Sequence, residues 1–338
     1  MGGQLFDVQA INGSPALVVA TLVWLFALGG VVGSFLNVVV HRLPRRESLL
    51  YPASRCPACK TPIRWHDNVP MLGWLVLRGR CRDCQAAIPA RYPLVEAATG
   101  AIFALLGWLE VLNGSLNSPW GIYAYHLLLV CTLLCAALIE HDGHWVPWRL
   151  MPMMLILGLA LQVIWPELRP APSGIPLLER FDDQWGLIAL IDGLVGPSTG
   201  IVLGLLMWPA MVFGPAGQGG RWSALAALIL VGSYLGCQAA IGIGLVAAAL
   251  HLITSCAAWG WPGSGRMGFC MLLLASTLAW IVFSSAIGQW QPWLFAKLDI
   301  EALAATVAIA VFAVATYFVR SSLPLPAPNP TAPQSIAR

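Results

Sequence analysis

The chain has 338 residues, 58% of them hydrophobic and 10% charged, with a net charge of +3 and a mean hydropathy of +0.76. Soluble domains carry roughly 25% charged residues, so the composition excludes a water-soluble globular protein; no nucleic-acid partner is expected. What remains is a polytopic membrane protein.

Apolar runs of about 17–25 residues, the length that crosses a hydrocarbon core, fall at 16–40, 94–112, 122–139, 149–165, 187–213, 223–239, 241–258, 269–287 and 302–319. They predict an all-α polytopic integral membrane protein of about 8–9 transmembrane helices. The run at 16–40 is too long for the h-region of a signal peptide and follows no basic segment, so it reads as a retained helix. With the N-terminus outside, 15 of the 18 Lys and Arg fall on the inner side or at inner helix ends, ten of them between Arg42 and Arg91. The opposite orientation would reverse that bias, so the positive-inside tendency selects N-out, C-in. The chain then divides into an N-terminal segment with the first helix (1–40), a cytoplasmic module (41–93), a transmembrane helical domain (94–320) and a Pro-rich disordered tail (321–338).

The module at 41–93 carries CPAC (Cys56, Cys59) and CRDC (Cys81, Cys84), separated by 21 residues. Each pair forms a knuckle whose two sulfurs point one way, and two knuckles complete a tetrahedral shell for structural zinc. A loop this short has little core of its own, so a metal supplies folding energy. Two disulfides are the alternative, and the reducing side of the membrane disfavours them. Cys131, Cys135, Cys237, Cys256 and Cys270 sit in apolar runs and read as small buried hydrophobes. His66, between the knuckles, reads as a surface histidine.

The ordered segments GSFLNVVVHRLP (33–44), CPAC, NVPMLGWLVLRGRCRDC (68–84) and RYPLVEAATG (91–100) together resemble the N-terminal half of the prepilin leader peptidases. The resemblance is dense over roughly residues 30–110, and the later helix pattern is compatible with it. It implies a multi-pass protein of the bacterial inner membrane that acts on type IV pilin or type II secretion pseudopilin precursors. Such enzymes clip the leader as aspartic proteases, and many N-methylate the new terminus with S-adenosylmethionine. The lipid bilayer and those precursors are the partners it implies.

The resemblance also places two catalytic aspartates at the cytoplasmic edges of helices. Within LIEHDGHWVP (138–147), counting back from Pro147 puts Glu140 at the first position, with Asp142 matching the second acid of that segment and Trp148 replacing a third. The second aspartate should end a GxGD segment, where the chain reads GPAGQGGRW (214–222) and Gly220 stands in its place. An aspartic protease needs two carboxylates sharing a proton, and glycine cannot serve. Glutamate at position 140 keeps the charge but is one methylene longer. A family-like PFGP segment expected near 265–270 reads GRMGF.

Two function classes follow. One is an enzyme, cutting through an unrecognised second acid or transferring methyl groups without cleavage, with Arg91, Tyr92 and Glu96 as the loop to inspect for substrate or methyl donor. The other is a pseudoenzyme that holds pilin-like leaders uncut through Glu140 and Asp142. For Arg91 and Tyr92 the structural reading is a membrane-interface position, and for Glu96 a charge near the positive end of its own helix.

Overall fold

In hydrocarbon every backbone N–H and C=O must be satisfied inside the protein, and a helix does this within one segment. The computed structural model describes residues 8–113, 119–147, 150–165, 168, 185–208, 218–260 and 268–287. These residues are helical apart from the cysteine module and short connections, and they contain no strand beyond two isolated bridges. The order is α1 (Val8–Asn12), α2 (Pro15–Arg42), α3 (Leu72–Val76), α4 (Arg91–Leu106), α5 (Pro119–His141), α6 (Leu150–Ile164), α7 (Trp185–Met207), α8 (Gln218–Gly260) and α9 (Phe269–Ile287). A π-helical turn, Gly107–Leu112, extends α4.

Four helices are long and apolar enough to cross a membrane: Pro15–Arg42, Arg91–Leu112, Trp120–His141 and Gly220–Cys237. Shorter apolar helices span Leu150–Ile164, Gly193–Met207, Ala239–His251 and Phe269–Val282. Eight of the nine predicted runs thus fall on helix, while the ninth, at 302–319, and the Pro-rich tail lie outside the described residues. Most of the predicted outer loop at 166–186 does as well.

The sixth and seventh runs share α8, and the join is sharp. Gly236 has φ 90° and ψ 173°, outside helical geometry and open to glycine alone without strain. A Cβ on Gly244 would touch the Leu228 side chain at 3.3 Å, yet sixteen residues of straight helix would separate them by about 24 Å. The chain therefore doubles back at Gly236, the midpoint of that pair.

Small residues set the closest helix pairs. A Cβ on Gly200 would lie 2.5 Å from Leu228 O, and one on Gly232 2.1 Å from Gly196 O, so α7 and the first limb of α8 run antiparallel in backbone contact. On the other side of the bundle, Gly29 of α2 meets Gly100 and Phe103, and Gly33 meets Glu96 and Thr99, which pairs α2 antiparallel to α4. Such contacts replace the hydrophobic driving force that lipid removes. Helix α5 occupies the centre, with 83% of its apolar window buried against 22% for α2 at the periphery. Around it Gln162 of α6 donates through Nε2 to Tyr125 Oη of α5 and to Ser233 O of α8, and Tyr125 stacks on Tyr234 at 4.5 Å.

Because Gly232 has no room for a methyl group, Gly232→Ala is expected to force α7 and α8 apart. Overpacking of this kind costs about 1–3 kcal/mol. Thermal unfolding of the detergent-solubilised protein checks it, with Gly143→Ala as a comparison for positive φ (73°) in open space.

Candidate functional site

The ends of α2, α4, α5, α8 and α9 lie at one end of the bundle, joined by polar side chains, and α4 carries the cysteine module there. Within the module the two knuckles are built alike. Lys60 N–H donates to Cys56 O and Cys56 N–H to Thr61 O, while Gln85 N–H donates to Cys81 O and Cys81 N–H to Ala86 O. Bridges Arg55–Pro62 and Arg80–Ala87 close the two loops, and Lys60 and Gln85 sit at φ 61° and 58° to complete the turns.

The four sulfurs, and among the described residues no other His, Cys, Asp or Glu group of three or more, lie within metal-binding reach, all within 4.8 Å of one another. A tetrahedral shell with Zn–S bonds of about 2.3 Å places sulfurs about 3.8 Å apart, and Cys56 Sγ stands 3.7 Å from Cys84 Sγ. Charge tells the same story. Hydrogen bonds from Thr61 hold Cys59 down at about 6. Cys84 receives the Ala86 N–H, yet desolvation and hydrogen bonds to Cys59, Cys81 and Cys56 push it up to about 12. Four thiolates cannot coexist here without a cation, and a divalent metal is what the donor set fits. His66 is exposed and pairs with Asp67 at 3.7 Å, outside the sulfur cluster.

Arg82 grips Asp67 with both arms, Nε to Oδ2 at 2.8 Å and Nη2 to Oδ1 at 2.5 Å, and holds the Asp67 carboxyl below its ordinary value. Glu96, buried in α4, accepts Met71 N–H at 2.6 Å. It serves the start of α3 rather than the start of its own helix, and so ties the module to the bundle. Arg91 Nη1 donates to Asp142 Oδ1 at 2.5 Å, joining the start of α4 to the loop after α5. With Tyr92, Asn37 and His41 they line a cavity of about 250 Å³.

Glu140 points elsewhere. It is 1% exposed, far from a solvated helix end, and its Oε2 accepts the Cys270 N–H in the first turn of α9 at 2.9 Å. An N-terminal helical amide and a carboxylate suit one another electrostatically as well. A Cβ on Gly268 would sit 2.7 Å from the Glu140 carboxyl, so the glycine makes the approach feasible. Glu140 and Asp142 do not pair, since one turns to α9 and the other to Arg91.

Gly220 is buried in the first turn of α8, and three residues on Ser223 Oγ accepts Val146 N–H at 3.3 Å. The segment carrying Glu140 and the segment carrying Gly220 therefore lie at the same end of the bundle. Trp148 and Gly217 are outside the described residues. Gly268 and Cys270 fall in or beside the GRMGF stretch that departs from the family pattern, but nothing in their spacing announced Glu140 as a partner. Ser223 and the α9 amides carry no motif at all.

A helical membrane bundle bearing a four-cysteine module beside an acidic helix end defines the class of protein. The bacterial peptidase A24 N-terminal domain matches residues 27–109. A prepilin leader peptidase/N-methyltransferase of Aeromonas salmonicida (strain A449) is 35% identical over 65% of this chain and 74% of its own length. One of Klebsiella pneumoniae is 36% identical over 64% and 86%, and one of Myxococcus xanthus (strain DK1622) 33% over 67% and 59%. The chain thus spans little more than half of the Myxococcus relative. No solved structure matches it. The chain belongs to the prepilin leader peptidase/N-methyltransferase family.

Two outcomes test this geometry. Cys56→Ser with Cys81→Ser is expected to abolish metal binding, read by metal analysis of the purified protein. In the metal-free module Cys59 is ionised from about pH 6 upward, well below the ordinary thiol range, and loses that charge as pH falls through about 6, so acidification through that value should speed metal loss. Separately, Gly268→Ala should expel the Glu140 carboxylate and lower stability by about 1–3 kcal/mol, and Glu140→Ala should cost a similar amount in the same unfolding measurement.

Proposed function

We propose that the chain is a prepilin leader peptidase-like protein of the bacterial inner membrane that takes type IV pilin or pseudopilin precursors and whose leader cleavage is weakened or lost. In this reading it crosses the bilayer eight or nine times, N-terminus outside, with residues 41–93 as a cytoplasmic zinc module, 94–320 as the transmembrane domain and 321–338 as a tail. The relatives' names support the substrate class. The structural role of zinc is supported by the sulfur cluster, and S-adenosylmethionine is the donor if methyl transfer persists.

One observation carries the loss of cleavage: Glu140 at the first acid position is buried against the α9 amides, while the second position is Gly220. Peptide hydrolysis by two carboxylates needs one as base toward water and the other as acid toward the carbonyl. Here one carboxylate is engaged as a helix cap and the other is missing. A protein that holds leaders uncut is the second reading, and the exposed Asp142 is the acid left to face a basic leader.

Full-length protein in detergent, supplied with a pilin precursor and S-adenosylmethionine and followed by mass spectrometry, separates these readings. Leader loss is expected about 10²–10⁴-fold slower than for a relative with both acids, and Glu140→Asp with Gly220→Asp is expected to recover part of it. Cleavage at the relative's rate, abolished by Glu140→Ala, would refute the proposal. A methyl gain on a pre-cut peptide, with no leader loss from the intact precursor, would assign the chain to methyl transfer alone.

A further inference from the structure

Of the three Arg–Asp pairs among the described residues, Arg64 and Asp83 stand loosely at 3.6 Å on the surface of the cysteine module, and the two closer pairs are made differently. Arg82 and Asp67 meet through two nitrogens and two oxygens, the arrangement of a finished structural pair. Arg91 and Asp142 meet through one of each, Nη1 and Oδ1, and both side chains are partly exposed, at 37% and 25%. The other guanidinium donors and Oδ2 are left for a third party.

Neither charge serves its own helix. Arg91 is the first residue of α4, at the end where the backbone is already positive, and Asp142 follows α5, at the end where it is already negative. An exposed single-point pair recovers little of that cost. Charges set against both dipoles, beside a cavity of about 250 Å³, mark a place kept for a ligand with its own two poles.

The surroundings narrow the ligand. Arg45 donates to His41 Nδ1, which leaves the ring proton on Nε2 as a further donor at the cavity wall. Asn37 Nδ2 donates to Tyr92 O and fixes that wall in place. Val40 and Pro89 supply an apolar side. The cavity is too small for a whole nucleoside cofactor, since pockets that enclose drug-sized molecules run to roughly 300–1,000 Å³. It also opens within two residues of the ends of α2 and α5, two of the helices long enough to span a bilayer, and so lies at headgroup depth.

We infer that the cavity between Arg91 and Asp142 binds the phosphoethanolamine head of a membrane phospholipid, phosphate on Arg91 and His41, primary ammonium on Asp142. The ammonium needs N–H groups to reach Oδ2, so a choline head, which has none, fits poorly, and a glycerol head lacks the cation. The assignment is independent of whether the chain cuts or methylates a precursor.

Native mass spectrometry of the full chain released from detergent, with dioleoyl-phosphatidylethanolamine, -phosphatidylcholine and -phosphatidylglycerol at equal concentration, tests it. The ethanolamine lipid is expected to be retained about tenfold over each of the others, the scale of one lost charge-assisted hydrogen bond. Arg91→Gln and Asp142→Asn should each erase the preference, with zinc content as the check on folding. Because either variant can disturb the loop, the exchange Arg91→Asp with Asp142→Arg, which keeps a pair, should also lose it. Equal retention of the three lipids, or a preference that survives the exchange, would overturn the site. Displacement of the lipid by an equal concentration of free O-phosphoethanolamine would overturn the membrane source.

Discussion

The bundle turns on one carboxylate buried inside the protein at the end of a helix. Glu140 accepts the Cys270 amide at 2.9 Å inside the protein, so the end of α5 and the start of α9 are fixed to each other by a bond that lipid cannot solvate or replace. Glutamate suits this better than aspartate because the extra methylene lets the oxygen reach the neighbouring helix. Gly268 keeps the passage open by having no side chain to occupy it. Glu140 thus performs a packing task, and its burial sets it apart from an acid that meets water.

Two further acids act at the same end of the bundle. Glu96 reaches out of α4 to the Met71 amide and ties the cysteine module down, and Asp142 reaches from the α5 loop to Arg91 at the start of α4. A metal held by the four sulfurs would therefore act at a distance: by ordering residues 56–84 it would steady α3, which Glu96 ties to α4 beside the Gly29 and Gly33 contacts with α2.

What could be read from the chain was what is local. Two CxxC pairs announce themselves because ligand geometry fixes short spacings, and the apolar runs do so because bilayer thickness fixes their length. Glu140 was visible as an acid at a helix end, but its partner was not, since a backbone amide 130 residues away has no side-chain signature. Glu96 stands near the positive start of its own helix, and its bond to the Met71 amide 25 residues earlier has no mark in the sequence. The boundary between the sixth and seventh runs was legible as two apolar stretches, yet the reversal rests on one glycine among 33. Positive φ leaves no trace in hydropathy.

That reversal governs the handedness of everything downstream. Extended as one rod, the 43 residues of α8 would measure about 65 Å, and α9 would begin at the far rim of the bundle with its amides facing away from Glu140. Gly236 folds the rod in half and so changes the parity of the traverse, returning the chain to the rim where α5 ends. A single achiral residue is in this sense the hinge on which the sidedness of the acid's partner depends.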